Sequence, residues 1–122
     1  STLSNSAKSS LSKFANNVLK QNPDMDVAIQ GYTDNQGWRN STVAQSQQKN
    51  LELSQMRAQS VSTYLMQCGV SGTQIKSVEG FGEANPIASN DTKAGQEQNR
   101  RVEVYMYASQ QMIQQAENGT LQ

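Results

Sequence analysis

Asp34 and Arg57 are the two side chains of this 122-residue chain whose type and setting point to specific chemistry. Asp34 lies in GYTDNQG, Gly31 to Gly37, directly after the alternating run DVAIQ. A carboxylate there either shapes a turn through nearby backbone or is held out toward a cation. Arg57 lies in SQMRAQSVSTYLMQC, read as a helix. At about 100° per residue Met56, Ser60, Val61, Tyr64, Leu65 and Cys68 share one arc, and Arg57 falls near its middle. A guanidinium on the core side either snorkels its head to water or grips a carboxylate through its planar fork. Together the two charges either pair with each other or take a zwitterionic ligand, ammonium to Asp34 and carboxylate to Arg57.

Composition removes most other chemistry. There is no His, so Ser-His-Asp and Cys-His triads and HExxH zinc sites are absent. Ten basic residues balance ten acidic ones without a basic run, which argues against nucleic acid or an anionic membrane as partner. The lone Cys68 makes neither an internal disulfide nor a zinc knuckle. No cofactor, metal site or catalytic residue is expected. No stretch approaches the roughly 18 apolar residues of a spanning helix. The N-terminus also lacks the apolar core of a signal peptide. Membrane attachment is expected only through a segment outside this chain.

The length is that of one domain. Ala7, Leu11, Phe14, Ala15, Val18 and Leu19 recur at helical spacing and predict a helix over 6–21, stopped before Pro23. Asp26–Tyr32 alternates and predicts a strand that delivers Asp34 at its C-terminal end. Residues 36–50 are polar and aperiodic and read as a long loop holding Trp38. Ser54 is the expected N-cap of the second helix, which runs to Cys68 with Gly69 past its end. That start puts Arg57 in the first turn, beside the positive end of the helix dipole. Gln74–Gly82 and Arg101–Tyr107 read as strands, residues 83–99 as loop with one helical turn, and 109–122 as a polar helix or tail. The resulting architecture is two helices on one face of a small mixed sheet, with a right-handed βαβ crossover.

Four segments in order, GYTDNQG, NLELSQMRAQSVSTYLMQCGV, GFGEANPIASND and NRRVEVYM, resemble the OmpA-like peptidoglycan-binding domain, the family of OmpA C-terminal domains, peptidoglycan-associated lipoproteins and MotB. The resemblance runs from about Val27 to Tyr107. It implies an α/β (α+β) sandwich of βαβαβ type, a small mixed sheet with helices packed on one face, over residues 1–108. It also implies a periplasmic domain, tethered to the outer membrane, that binds the diaminopimelate residue of the peptidoglycan stem peptide. On that basis Asp34 and Arg57 hold the ammonium and carboxylate of diaminopimelate. Asn50, Thr33, Leu53 and Val61 fall on other positions of the pocket. Arg101 falls on a rim position, unless it pairs with Glu103 or Glu79.

Three features depart from the family pattern. The segment between Gly37 and Asn50 is about eight residues longer, Gln96 stands where many members have Arg, and no first strand is evident at Ser1 to Leu3. Two other classes of function stay open. One is a peptidoglycan-processing enzyme using Asp34 and Glu83 as an acid/base pair, and the other is a protein interaction module with a vestigial pocket. Trp38 either packs locally or offers its ring to a sugar.

Overall fold

The computed structural model describes residues 3–109. Helix α1 (Asn5–Phe14) is capped by the Ser4 hydroxyl, which accepts the Ala7 amide at 3.1 Å. It runs on through a π-helical turn, Ala15–Leu19, that buries Ala15 and Leu19. Strand β1 (Met25–Tyr32) follows, then helix α2 (Val43–Gln67), strand β2 (Ile75–Gly80), the short helix α3 (Lys93–Asn99) and strand β3 (Arg101–Ala108). The sheet order is β2-β1-β3, with β1 parallel to β2 and antiparallel to β3. This is the small mixed sheet expected. The predicted C-terminal helix lies, from residue 110 on, outside the described residues, as do Ser1 and Thr2.

The helical layer covers one face of the sheet. Ala15 and Leu19 meet Val27 and Ile29 of β1 and Ala58, Val61 and Leu65 of α2 in one core, with Val78, Val102, Val104 and Met106 packed against it. Burying an aliphatic side chain of this size contributes about 1.5–3 kcal/mol, so this cluster holds α2 to β1. Two glycines let helix and sheet come unusually close. A Cβ on Gly31 would lie 2.2 Å from the Ser54 carbonyl oxygen, and one on Gly80 would lie 2.3 Å from the Gln55 nitrogen. Gly31 is therefore a packing residue inside β1, not part of the turn that follows it.

The expected loop over 36–50 is half helix. Helix α2 begins at Val43, where Thr42 accepts the Gln45 amide and the Gln45 side chain accepts the Thr42 amide, a reciprocal capping box. Ser54 is consequently not an N-cap but a buried mid-helix residue. Its hydroxyl donates to the Leu51 carbonyl at 2.7 Å and accepts the Gly82 amide at 2.9 Å. The buried stripe of α2 is Ser46, Asn50, Ser54, Ala58, Val61, Ser62 and Leu65, whereas Met56 is 53% exposed. Arg57 thus lies midway along the helix at the edge of the buried stripe, far from the helix N-terminus, and the dipole has no part in its chemistry.

Candidate functional site

Strand β1 delivers Asp34 as its alternation predicts. Beyond the last strand residue the chain stays tied to the turn after β2, because the Thr33 amide donates to the Gly82 carbonyl at 2.8 Å. Both Thr33 and Asp34 are buried. The Thr33 hydroxyl donates to the Asp34 carbonyl at 2.8 Å, and Asp34 Oδ1 accepts the Gln36 amide at 3.1 Å. One carboxylate oxygen therefore shapes the turn in the manner of an Asx turn. The other, Oδ2, accepts from Arg100 Nη1 at 2.7 Å. Asp34 is 5% exposed and the Arg100 side chain 42%, so the cation covers the carboxylate from the solvent side.

Arg57 belongs to the same cluster without bonding to it. Its Nη1 is buried and has no hydrogen-bond partner among the described residues. Burial pushes its pKa below the ordinary arginine value, the charge of Arg100 pushes the same way, and Asp34 opposes both. A guanidinium nevertheless stays protonated. Two cations thus share one carboxylate, which leaves one positive charge unbalanced and one buried donor idle. Asp34 keeps spare capacity too, because a carboxylate offers about four acceptor positions and two hydrogen bonds are in use here.

Asn50 organises the rim. It is 3% exposed, and its Nδ2 donates to the Gln36 carbonyl and to Glu83 Oε2, each at 3.2 Å, while its Oδ1 accepts from Trp38 Nε1 at 2.8 Å. It therefore braces the turn that carries Asp34. Leu53 is half-buried on α2, and Val61 is 3% exposed and part of the core. Arg101 faces elsewhere: it pairs with Glu103, donates to the Asn99 and Asn85 carbonyls, and lies 4.0 Å from the centroid of the Tyr32 ring. Of the roles open to it in the sequence, the Glu103 pair is the one seen. Glu83, the second carboxylate of the enzymic alternative, is held by Asn50, and no hydrogen bond links it to Asp34 among the described residues.

Arg100 is the site residue the sequence reading missed. Its backbone sits at φ −79°, ψ 89° between α3 and β3, outside the regular alternation that sorts Arg101 and its neighbours by face. Its placement depends on Asn99, which is fully buried. Asn99 accepts the Ile87 and Ala88 amides and donates to the Ala88 carbonyl and to Asn90 Oδ1. The NRR triplet was the available signal: a knot-forming Asn directly before two arginines on opposite sides.

The chain is 48% identical over 86 residues to the peptidoglycan-binding protein ArfA of Mycobacterium bovis, covering 70% of this chain and 24% of that protein. It is 33% identical over 102 residues to the outer-membrane lipoprotein YfiB of Pseudomonas aeruginosa, covering 84% and 55% respectively. The chain thus spans only part of the relatives it matches. Among solved structures, the peptidoglycan-associated lipoprotein from Burkholderia pseudomallei superimposes with a TM-score of 0.71 at 28% identity, over 86% of this chain and 80% of that one. Residues 1–100 match the OmpA family. With a family match over most of its length and the fold of a solved relative, this chain belongs to the OmpA family.

Proposed function

We propose that this domain binds peptidoglycan noncovalently through the diaminopimelate residue of the stem peptide, anchoring an outer-membrane or other envelope protein to the wall from the periplasmic side. The observation that carries the reading is the partnerless buried Nη1 of Arg57 beside the Asp34–Arg100 pair. A zwitterionic amino-acid centre matches it: the carboxylate meets Arg57 and the unbalanced positive charge, and the ammonium uses the remaining acceptor positions of Asp34. Thr33 and Asn50 hold the Asp34 turn in shape, Leu53 and Val61 give the apolar backing, and Arg101 steadies the rim through Glu103 and Tyr32. The names of ArfA and of the Burkholderia lipoprotein, peptidoglycan-binding and peptidoglycan-associated, support the same assignment.

Binding without catalysis suits the groups present, because Asp34 is already engaged by Arg100 and the Gln36 amide, and Glu83 is held apart from it by Asn50. Titration with a diaminopimelate-containing stem peptide tests the proposal. Truncating one partner of a desolvated charge pair costs about 2–5 kcal/mol, so Asp34→Ala and Arg57→Ala each lose about 30-fold or more in affinity while staying folded. Lysine-type peptide, which lacks the carboxylate at this centre, binds as weakly to the wild type as diaminopimelate peptide does to Arg57→Ala. Equal affinity for both peptides refutes the two-point clamp. Release of soluble muropeptides from sacculi would instead mark an enzyme.

A further inference from the structure

We propose that Trp38 is the platform of a second subsite, which stacks on a pyranose ring of the glycan strand while the Asp34–Arg57 clamp holds the stem peptide. The inference rests on the peptidoglycan reading above and adds to it a sugar contact built from the enlarged segment between Gly37 and Asn50.

Trp38 is 42% exposed, yet it is firmly held. Its backbone amide donates to Ser46 Oγ at 2.8 Å and its indole Nε1 donates to Asn50 Oδ1 at 2.8 Å. Lys49 Nζ lies 5.5 Å from the ring centroid and donates to Ser41 Oγ at 2.7 Å. Ser46 and Asn50 are two of the seven buried residues of α2. Both spend a side-chain oxygen on Trp38 and so orient its ring. A ring fixed before the ligand arrives loses little further freedom on binding.

The chemistry left on the ring selects the ligand. Nε1–H is already used by Asn50, so the exposed part of the indole offers a flat π surface and no hydrogen-bond donor. A pyranose is the complementary shape, with an apolar face of C–H groups and a rim of hydroxyl and acetamido oxygens. Lys49 lies over one face of the ring, and the two ammonium donors that Ser41 leaves free can meet those oxygens around a sugar on the other face. The spacing also agrees. Four peptide steps from Asp34 cap the Cα separation at roughly 14 Å, and a stem peptide that carries diaminopimelate two residues beyond its sugar-linked residue reaches about 10 Å when extended. Finally, Asn50 binds both Trp38 Nε1 and the Gln36 carbonyl, and the Gln36 amide binds Asp34, so one framework holds both subsites.

The test compares a free diaminopimelate stem peptide with the same peptide carried on its disaccharide, by calorimetry on the wild type, Trp38→Leu and Trp38→Tyr. The wild type is expected to bind the muropeptide about three- to tenfold tighter than the peptide, the range of one favourable ring contact. Trp38→Leu should bind both ligands equally, at or below the wild-type peptide affinity because it also removes the bond to Asn50, and Trp38→Tyr should keep part of the preference for the muropeptide. Trp38 is the sole tryptophan, so its fluorescence on the unmutated protein should shift with muropeptide and not with peptide. Equal wild-type affinities with no fluorescence change overturn the platform and leave the clamp standing. So does a Trp38→Leu variant that weakens both ligands by the same factor and keeps the preference for the muropeptide, which would mark Trp38 as a packing residue. If neither ligand binds the wild type, the peptidoglycan reading itself fails, and the platform with it.

Discussion

Replacing Arg57 with Met should stabilise the free protein while removing its ability to bind. In the free state the Nη1 donor is buried and unsatisfied, and the like charge of Arg100 lies nearby. An unsatisfied buried donor costs about 1–3 kcal/mol. Arg57 is only half-buried, so solvent screens part of that cost, and the low end of about 1 kcal/mol is the fair figure. Methionine keeps an unbranched stem that still covers the neighbouring apolar surface and adds no polar atom. For a domain of this size 1 kcal/mol corresponds to about 3–6 °C in melting temperature. Arg57→Met is therefore expected to melt about 3–6 °C above the wild type in the absence of ligand, with the gain shrinking at high salt as the repulsion from Arg100 is screened. Affinity for stem peptide falls by about 30-fold or more in the same variant. A thermal melt by circular dichroism at two salt concentrations, paired with the peptide titration, reads both effects. A ligand-free melt several degrees below the wild type would refute the reasoning, because it would show that the guanidinium is already satisfied in the free protein and no acceptor is missing.

Gly80→Ala should cost about 1–3 kcal/mol in denaturant unfolding, since the new Cβ would meet the Gln55 nitrogen at 2.3 Å and Cα at 2.7 Å, backbone atoms that cannot swing aside. Thr42→Ala removes one half of the capping box and should cost about 1 kcal/mol, read by the same unfolding curves. The Tyr105 hydroxyl, followed by Arg101, holds the Glu103 carboxyl below its ordinary value of 4.5. A depressed carboxylate stabilises the fold above its unfolded pKa and loses that contribution as pH falls through the folded one. Stability should therefore decline on acidification below about pH 4.5, and Glu103→Gln should flatten that part of the pH profile.

The strands were legible because their residues alternate. Val27 and Ile29 in β1, and Val102, Val104 and Met106 in β3, mark the helix-covered face directly. Asp34 was legible for the same reason, as the carboxylate just beyond a clean strand. The first turns of α2 were not, because the positions they bury are Ser46 and Asn50, so no apolar period exists to be seen. Thr42 and Gln45, spaced as a capping box, were the readable sign of that start. Starting the helix at Ser54 then put Arg57 at a dipole it never meets, although Arg57 does lie within electrostatic reach of Asp34. Arg100 was hidden by a different mechanism: a single residue between helix and strand has no period at all, and only the buried Asn99 beside it determines where it emerges.

Helix α2 is continuous in shape but not in resistance to opening. From Ser54 onward it is held by Ala58, Val61 and Leu65 in the core, whereas Val43–Leu53 buries only Ser46 and Asn50. Segments with few buried apolar contacts open locally at a fraction of the global unfolding free energy. Backbone amides in the first turns should thus exchange with deuterium well before those near Leu65. Each such opening breaks the bonds from Asn50 to Gln36 and Trp38 and relaxes the turn that aims Asp34. The proposed clamp would then release its ligand at a rate set partly by how often a polar stretch of helix unravels, a stretch that contains neither Asp34 nor Arg57.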